Sequence, residues 1–325
     1  LSATMIGRLL NKLGSLRLLV FGLVPYAFLG VMGAYVTNDY VLVLDRILLG
    51  TATVAVQVSV TAFMADLFKG EDRLKMIAWQ GMSIELGGVV FLALGGVLGE
   101  WHWQFPFYIY LIALVCLVLM AVALPKTGHS PNESREISPT GGTGKSEVRL
   151  LFLASLLAMM LFFVGFVSLP LYLPNSFGFS ESQTGYLMAS ISVVAIITAS
   201  QMPKMVITLG GGKTVALGFL FFMLGYIVLA TTLSVPFLVL TVVFIGMGFG
   251  FTIPLLNHLM IEVSTTQNLG KNLGLFSMGV FGGQFLSTFI ESLSNNYKAI
   301  YGVSSVLALL IACSVYFLFQ RIVKK

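Results

Sequence analysis

Three charged residues stand inside otherwise uncharged, apolar runs of this chain: Asp45, Arg46 and Glu85. A charge held in hydrocarbon costs about 2.5–3.5 kcal/mol for Arg, Lys or Asp on insertion scales, so each needs a reason to be there. For an acid, the chemistry on offer is binding and release of a proton or a cation. Asp45 and Arg46 are adjacent, and neighbours on a helix point about 100° apart, so full mutual neutralisation is not expected. Asp45 also lies near enough to the end of its run to send its carboxylate to the membrane surface, and that reading stands level with a functional one. Glu85 lies near the middle of its run, and Gly81, Gly88, Gly96 and Gly99 project within about 60° of it on a helix. Such a stripe lets another helix approach closely and bury the carboxylate. Glu85 is then either a proton or cation site, or a structural carboxyl held by neighbouring groups.

Neutral polar residues in other apolar runs could line a cavity. These are Gln201, Asn257, His258 and Gln284, of which His258, near the end of its run, reads more readily as a satisfied structural side chain. Just before it stands Gly246-x-Gly248-x-Gly250-Phe251-Thr252-Ile253-Pro254. Pro254 cannot donate to the carbonyl of Gly250, so a helix can kink there, and Gly250 with Pro254 is the candidate hinge. No HExxH, Cys/His metal cluster or Ser/His/Asp order occurs, and GGTGK at 141–145 lacks the spacing and the preceding strand of a phosphate-binding loop. Cys116 and Cys313 sit in apolar runs as small hydrophobes. No enzymatic activity, metal or cofactor is expected.

The elements that must position these residues follow from composition. The chain is 57% hydrophobic and 10% charged, where a soluble domain carries about 25% charged residues. Apolar runs long enough to cross about 30 Å of hydrocarbon as helices fall at 16–36, 40–66, 76–98, 103–124, 150–173, 184–206, 214–232, 236–262, 272–292 and 299–320. Continuous runs such as LVLTVVFIGMGFGF do not alternate as barrel strands do. The class is an all-α polytopic membrane protein with ten complete transmembrane helices.

The polar segment KTGHSPNESREISPTGGTGKSEV (126–148) reads as a linker. It separates an N-terminal bundle of four complete spans (1–125) from a C-terminal bundle of six (149–325). If the start is cytoplasmic and the spans alternate, every Lys and Arg except Arg46 and Lys298 falls on the cytoplasmic side. The positive-inside rule therefore places both termini and the linker in the cytoplasm. The net charge of +5 is then topology plus contact with anionic membrane lipid, and no nucleic-acid partner is expected.

The opening loop is Gly7-Arg8-Leu9-Leu10-Asn11-Lys12-Leu13-Gly14-Ser15-Leu16-Arg17. Its glycines permit a tight turn and close helix approach, and Arg8, Lys12 and Arg17 can meet the negative C-terminal ends of helices. Asp66, at the end of its span, is a candidate acidic partner. Lys and Arg here also serve as topology charges alone. The motif Leu13-Gly14-Ser15-Leu16-Arg17, followed by Gly22, is echoed 196 residues later by Leu209-Gly210-Gly211-Gly212-Lys213, followed by Gly218. That echo points to an internal duplication.

With these residues in view, the chain resembles the major facilitator superfamily. Gly7-x-x-x-Asn11-Lys12-x-Gly14-x-x-Arg17 is similar to the loop between that family's second and third helices. Arg46-Ile-Leu-Leu-Gly50 resembles its fourth-helix Arg-x-x-Gln-Gly signature. Gly87-Gly88 through Gly95-Gly96, ending in Trp101-His102-Trp103-Gln104-Phe105, resembles the glycine-rich fifth helix of its drug/proton antiporter-type exporters. Asn11, Leu49 and His102 depart from the usual acid, Gln and Arg, and Phe91-Leu92 stand where those antiporters have Gly-Pro.

The resemblance implies a two-bundle fold, with the ten spans as helices three to twelve and the chain beginning partway through a longer protein. It implies that the opening loop acts as a gating latch and that Arg46 helps control proton binding. The expected function is secondary active transport of a small amphipathic molecule by alternating access, as proton-coupled, multidrug-type efflux through a bacterial plasma membrane. The alternative is import or facilitated passage of a sugar or other metabolite. A membrane receptor or enzyme has no motif in its favour.

Overall fold

The structure is a computed structural model, and it describes residues 6, 9, 10, 12–123, 145–231, 234–265, 267–294 and 296–323. Among the described residues ten α-helices follow one another: α1 Ser15–Met32, α2 Asp39–Leu67, α3 Gly70–Trp101, α4 Ile112–Ala123, α5 Lys145–Phe177, α6 Glu181–Leu209, α7 Gly211–Thr231, α8 Val235–Glu262, α9 Leu269–Ser292 and α10 Tyr297–Val323. Each corresponds to one expected span. Nine stretches among the described residues are long and apolar enough to cross a membrane, and α3 is the tenth helix. Two boundaries differ from expectation. The fourth span opens with a 3-10 segment, Phe105–Leu111, carrying Pro106 in its first turn, before α4 begins. Helix α3 starts at Gly70 and not near 76, because Glu71 and Asp72 suit a helix N-terminus although they end the apolar run.

Local signals explain the helix starts. The Asn38 side chain accepts from the backbone N–H groups of Tyr40 at 3.0 Å and Val41 at 3.3 Å and caps α2. Ser180 and Gln183 form a reciprocal capping box at the start of α6.

The described residues group into two compact units. One comprises Leu1–Phe68, Val89–Gly142 and Ser264–Ser277; the other comprises Lys69–Gly88, Thr143–Val263 and Met278–Lys325. In the first, Leu19, Leu23 and Ala27 of α1 and Ala113 of α4 form a buried apolar cluster. In the second, α8 is enclosed along most of its length because its glycines admit neighbours on two sides. A Cβ on Gly250 would lie 2.8 Å from the backbone N of Ala199 on α6, and one on Gly248 would lie 2.5 Å from the Phe222 ring on α7. Helix α8 is continuous through Gly250 and Pro254, and the glycines supply the close packing there. One turn along α7 from Phe222, the buried Tyr226 hydroxyl donates to the carbonyl of Leu161 and accepts from the N–H of Gly165 at 3.0 Å. It thereby grips both ends of one helical rung of α5.

The sequence echo extends into three dimensions. Gly14 has φ 79° and ψ 165°, and Gly210 has φ 84° and ψ 155°, a left-handed region that favours glycine. The N–H of Gly14 donates to Leu10 at 2.9 Å and that of Gly210 to Val206 at 2.8 Å, again 196 residues apart. Eight residues on, Gly22 packs against Val56 of α2 and Gly218 against Thr252 of α8, and those contacts keep the same offset.

Candidate functional site

Three polar clusters emerge, two in the first unit and one in the second. The first is built on α2. Asp45 is 3% exposed, and its Oδ2 lies 3.1 Å from Nη2 of Arg46. The two groups touch without hydrogen-bond alignment, and among the described residues no hydrogen-bond partner reaches either carboxylate oxygen. The 100° offset is thus closed by the length of the arginine, while the poor alignment it imposes remains. This burial weighs against the reading in which Asp45 reaches the membrane surface, one of the two held level above. Arg46 in turn lies against Gly33, where a Cβ would collide with Nη2, and its guanidinium carbon sits 5.7 Å from the Phe107 ring centre. Only glycine at 33 leaves room for this arrangement. Gln104 anchors the turn by donating to the carbonyl of Ala34 at 2.8 Å.

The second cluster lies at the start of α1, where Ser15 Oγ donates to Oδ2 of Asp66 at 3.2 Å. The loop and Asp66 are therefore brought together, with Ser15 the contributor that sequence reasoning missed. Lys12 and Arg17 are exposed. Gly7, Arg8 and Asn11 lie outside the described residues.

The third cluster joins the first half of α3 to the end of α8, running antiparallel. Gly81 receives the Pro254 ring, since a Cβ there would lie 2.7 Å from Cγ. One turn further, Asn257 Nδ2 donates to Oε1 of Gln80 at 3.3 Å. At the end of the contact, Arg73 Nη1 donates to Oε1 of Glu262 at 2.9 Å, with the Arg73 side chain 6% exposed and that of Glu262 41% exposed. His258, four residues before Glu262 on α8, is buried, and among the described residues neither its Nδ1 nor Oδ1 of Asn257 has a hydrogen-bond partner. Asn257 and His258 were singled out from sequence; Arg73, Gln80 and Glu262 were not. A signal existed for Glu262, which follows Asp66 by the same 196 residues as the loop echo.

The remaining candidates stand apart from these clusters. Gln201 on α6 is exposed and donates to the neighbouring Ser200 hydroxyl at 3.2 Å. Gln284 on α9 is half-buried. The Glu85 side chain lies outside the described residues, although its backbone belongs to α3. Among the described residues no group of three or more His, Cys, Asp or Glu could hold a metal.

Comparison with known proteins places this arrangement. The profile of the Major Facilitator Superfamily matches residues 1–288 and 151–323. The chain belongs to that superfamily. Among its relatives is "Multidrug resistance protein 1" of Bacillus subtilis (strain 168), 24% identical over 196 residues, which cover 59% of this chain and 50% of the relative. Another is "Tetracycline resistance protein, class B" of Escherichia coli, 25% identical over 284 residues, covering 84% of this chain and 70% of the relative. The chain thus spans about half the length of the first of these. A solved structure, that of the human organic anion transporter MFSD10 (TETRAN), shares the fold with a TM-score of 0.80 at 19% identity, over 96% of this chain and 80% of that one.

Proposed function

We propose that the protein is a secondary active transporter that exports a small amphipathic molecule by alternating access, in exchange for entering protons. The observation that carries this reading is the Asp45–Arg46 pair: a buried carboxylate in a membrane helix, touched by a guanidinium but with no hydrogen-bond partner among the described residues. On this reading the carboxylate is the carrier of the proton. It can stay charged beside Arg46 or take a proton and release it. Arg46, held by Gly33 and Phe107, is positioned to bias that choice. The superfamily relatives named for multidrug and tetracycline resistance support export.

On this reading residues 1–125 and 149–325 are the two bundles that rock against each other, joined by the linker at 126–148. The Ser15–Asp66 bond and the Arg73–Glu262 pair lie at the cytoplasmic ends and close them while the cavity faces outward. Glu85 is a second candidate for the proton. The protein resides in the plasma membrane with its termini and linker in the cytoplasm, in keeping with the distribution of basic residues. Its partners are the solute, protons and membrane lipid.

The reading is tested by comparing a strain lacking the protein with its parent. The deletion strain is expected to accumulate more of at least one lipophilic cation, tetracycline or quinolone and to be more sensitive to it. Equal accumulation across that panel, together with poor growth on a sugar or organic acid, overturns export in favour of uptake.

A further inference from the structure

Building on the transporter reading, we propose that His258 is a proton-operated release for the Arg73–Glu262 ion pair, so that acid at this end of the helices opens the α3–α8 contact. His258 stands four residues before Glu262 on α8, which on a helix brings the two Cβ atoms within about 5–6 Å. It is 9% exposed, and Nδ1 is buried without a hydrogen-bond partner. The charged groups that act on its ring are Glu262 on its own helix and Arg73 on α3.

While the imidazole is neutral, the Arg73 guanidinium is held against the Glu262 carboxylate at 2.9 Å. Histidine is the side chain whose ordinary titration falls in the physiological range. Once protonated, His258 adds a second cation beside the Glu262 carboxylate, in a contact where the Arg73 side chain is 6% exposed. An uncompensated charge in such a place is costly, and separation of α3 from α8 relieves it by admitting solvent. The same movement hydrates two groups that lack partners in the closed contact, Nδ1 of His258 and Oδ1 of Asn257. The remaining links across the contact, Asn257 to Gln80 and Gly81 to Pro254, do not titrate. Among the described groups of this contact, His258 is the one whose ordinary titration falls in the physiological range. In an exporter, the consequence is a transporter that opens to the cytoplasm more readily when the cytoplasm is acidified.

The test reads the contact itself and not transport. In a background with Cys116 and Cys313 replaced by Ala, the buried Ile261 is changed to Cys. Its reaction with a water-soluble maleimide is followed in inside-out vesicles between about pH 8 and about pH 5.5, bracketing the histidine range. Each rate is normalised to the same label on denatured protein. Labelling is expected to rise several-fold on acidification, to stay low throughout in His258→Gln, and to stay high throughout in His258→Arg. A pH-dependent rise that survives in His258→Gln, or protection that survives in His258→Arg, overturns the proposal. Protein that opens with acid in this assay yet moves no solute counts against the transporter reading alone.

Discussion

Asp45→Asn is expected to abolish accumulation of solute driven by a pH gradient while leaving exchange of labelled for unlabelled solute intact. The carboxylate is 3% exposed and has no hydrogen-bond partner, so its ionisation is its principal chemical asset. Asparagine keeps the size and polarity and removes the titration. The substitution also leaves Arg46 without its countercharge, a burden of about 2.5–3.5 kcal/mol for a lone cation in the membrane. Yield is therefore expected to fall, and activity must be compared per folded molecule. Asp45→Glu, which keeps the charge, separates the two effects by restoring folding and part of the driven accumulation. Glu85→Gln provides the contrast. If the proton travels through Asp45, Glu85→Gln keeps gradient-driven accumulation; if Glu85→Gln loses it and Asp45→Asn does not, the coupling site lies on α3.

Charge reversal at the α3–α8 contact is expected to have the next largest effect. Arg73→Glu sets two carboxylates against each other where the Arg73 side chain is 6% exposed. Because Glu262 retains some contact with water, the loss is about 1–3 kcal/mol, roughly a ten- to hundredfold shift away from the closed contact. On the proposed mechanism the outward-facing state is depleted and the transport rate falls by a comparable factor. Glu262→Arg alone is expected to act similarly, and the double exchange Arg73→Glu with Glu262→Arg to recover most of the rate. Failure of the double exchange to recover any rate, with both single variants well folded, removes the pair from the gating mechanism.

What the sequence revealed and concealed has a physical pattern. Ten helices were legible because each needs an uninterrupted apolar run, and hydrocarbon leaves no other solution for the backbone of such a run. The loop duplication was legible because a left-handed glycine is required at the same place in both copies. The partnership of Arg73 with Glu262 was concealed, since the two are 189 residues apart and each ends an apolar run, where a charge reads as a topology signal. The burial of Asp45 was concealed for a related reason. It depends on how Arg46 is seated between Gly33, just past the end of α1, and Phe107 beyond α3, which no local pattern encodes. Hydropathy also hid the first turns of α3, whose Glu71 and Asp72 favour a helix start but not a membrane.

The central claim is that protons drive solute through this protein, and it is tested most directly in proteoliposomes containing the whole protein. Vesicles acidic inside and alkaline outside are supplied with a fluorescent lipophilic cation, tetracycline or a quinolone, and accumulation is followed with and without an ionophore that collapses the gradient. The account predicts uptake of at least one of these solutes above its equilibrium level, lost with the ionophore and lost in Asp45→Asn. Uptake that never exceeds equilibrium and is indifferent to the gradient, in protein that still exchanges the solute, would contradict it.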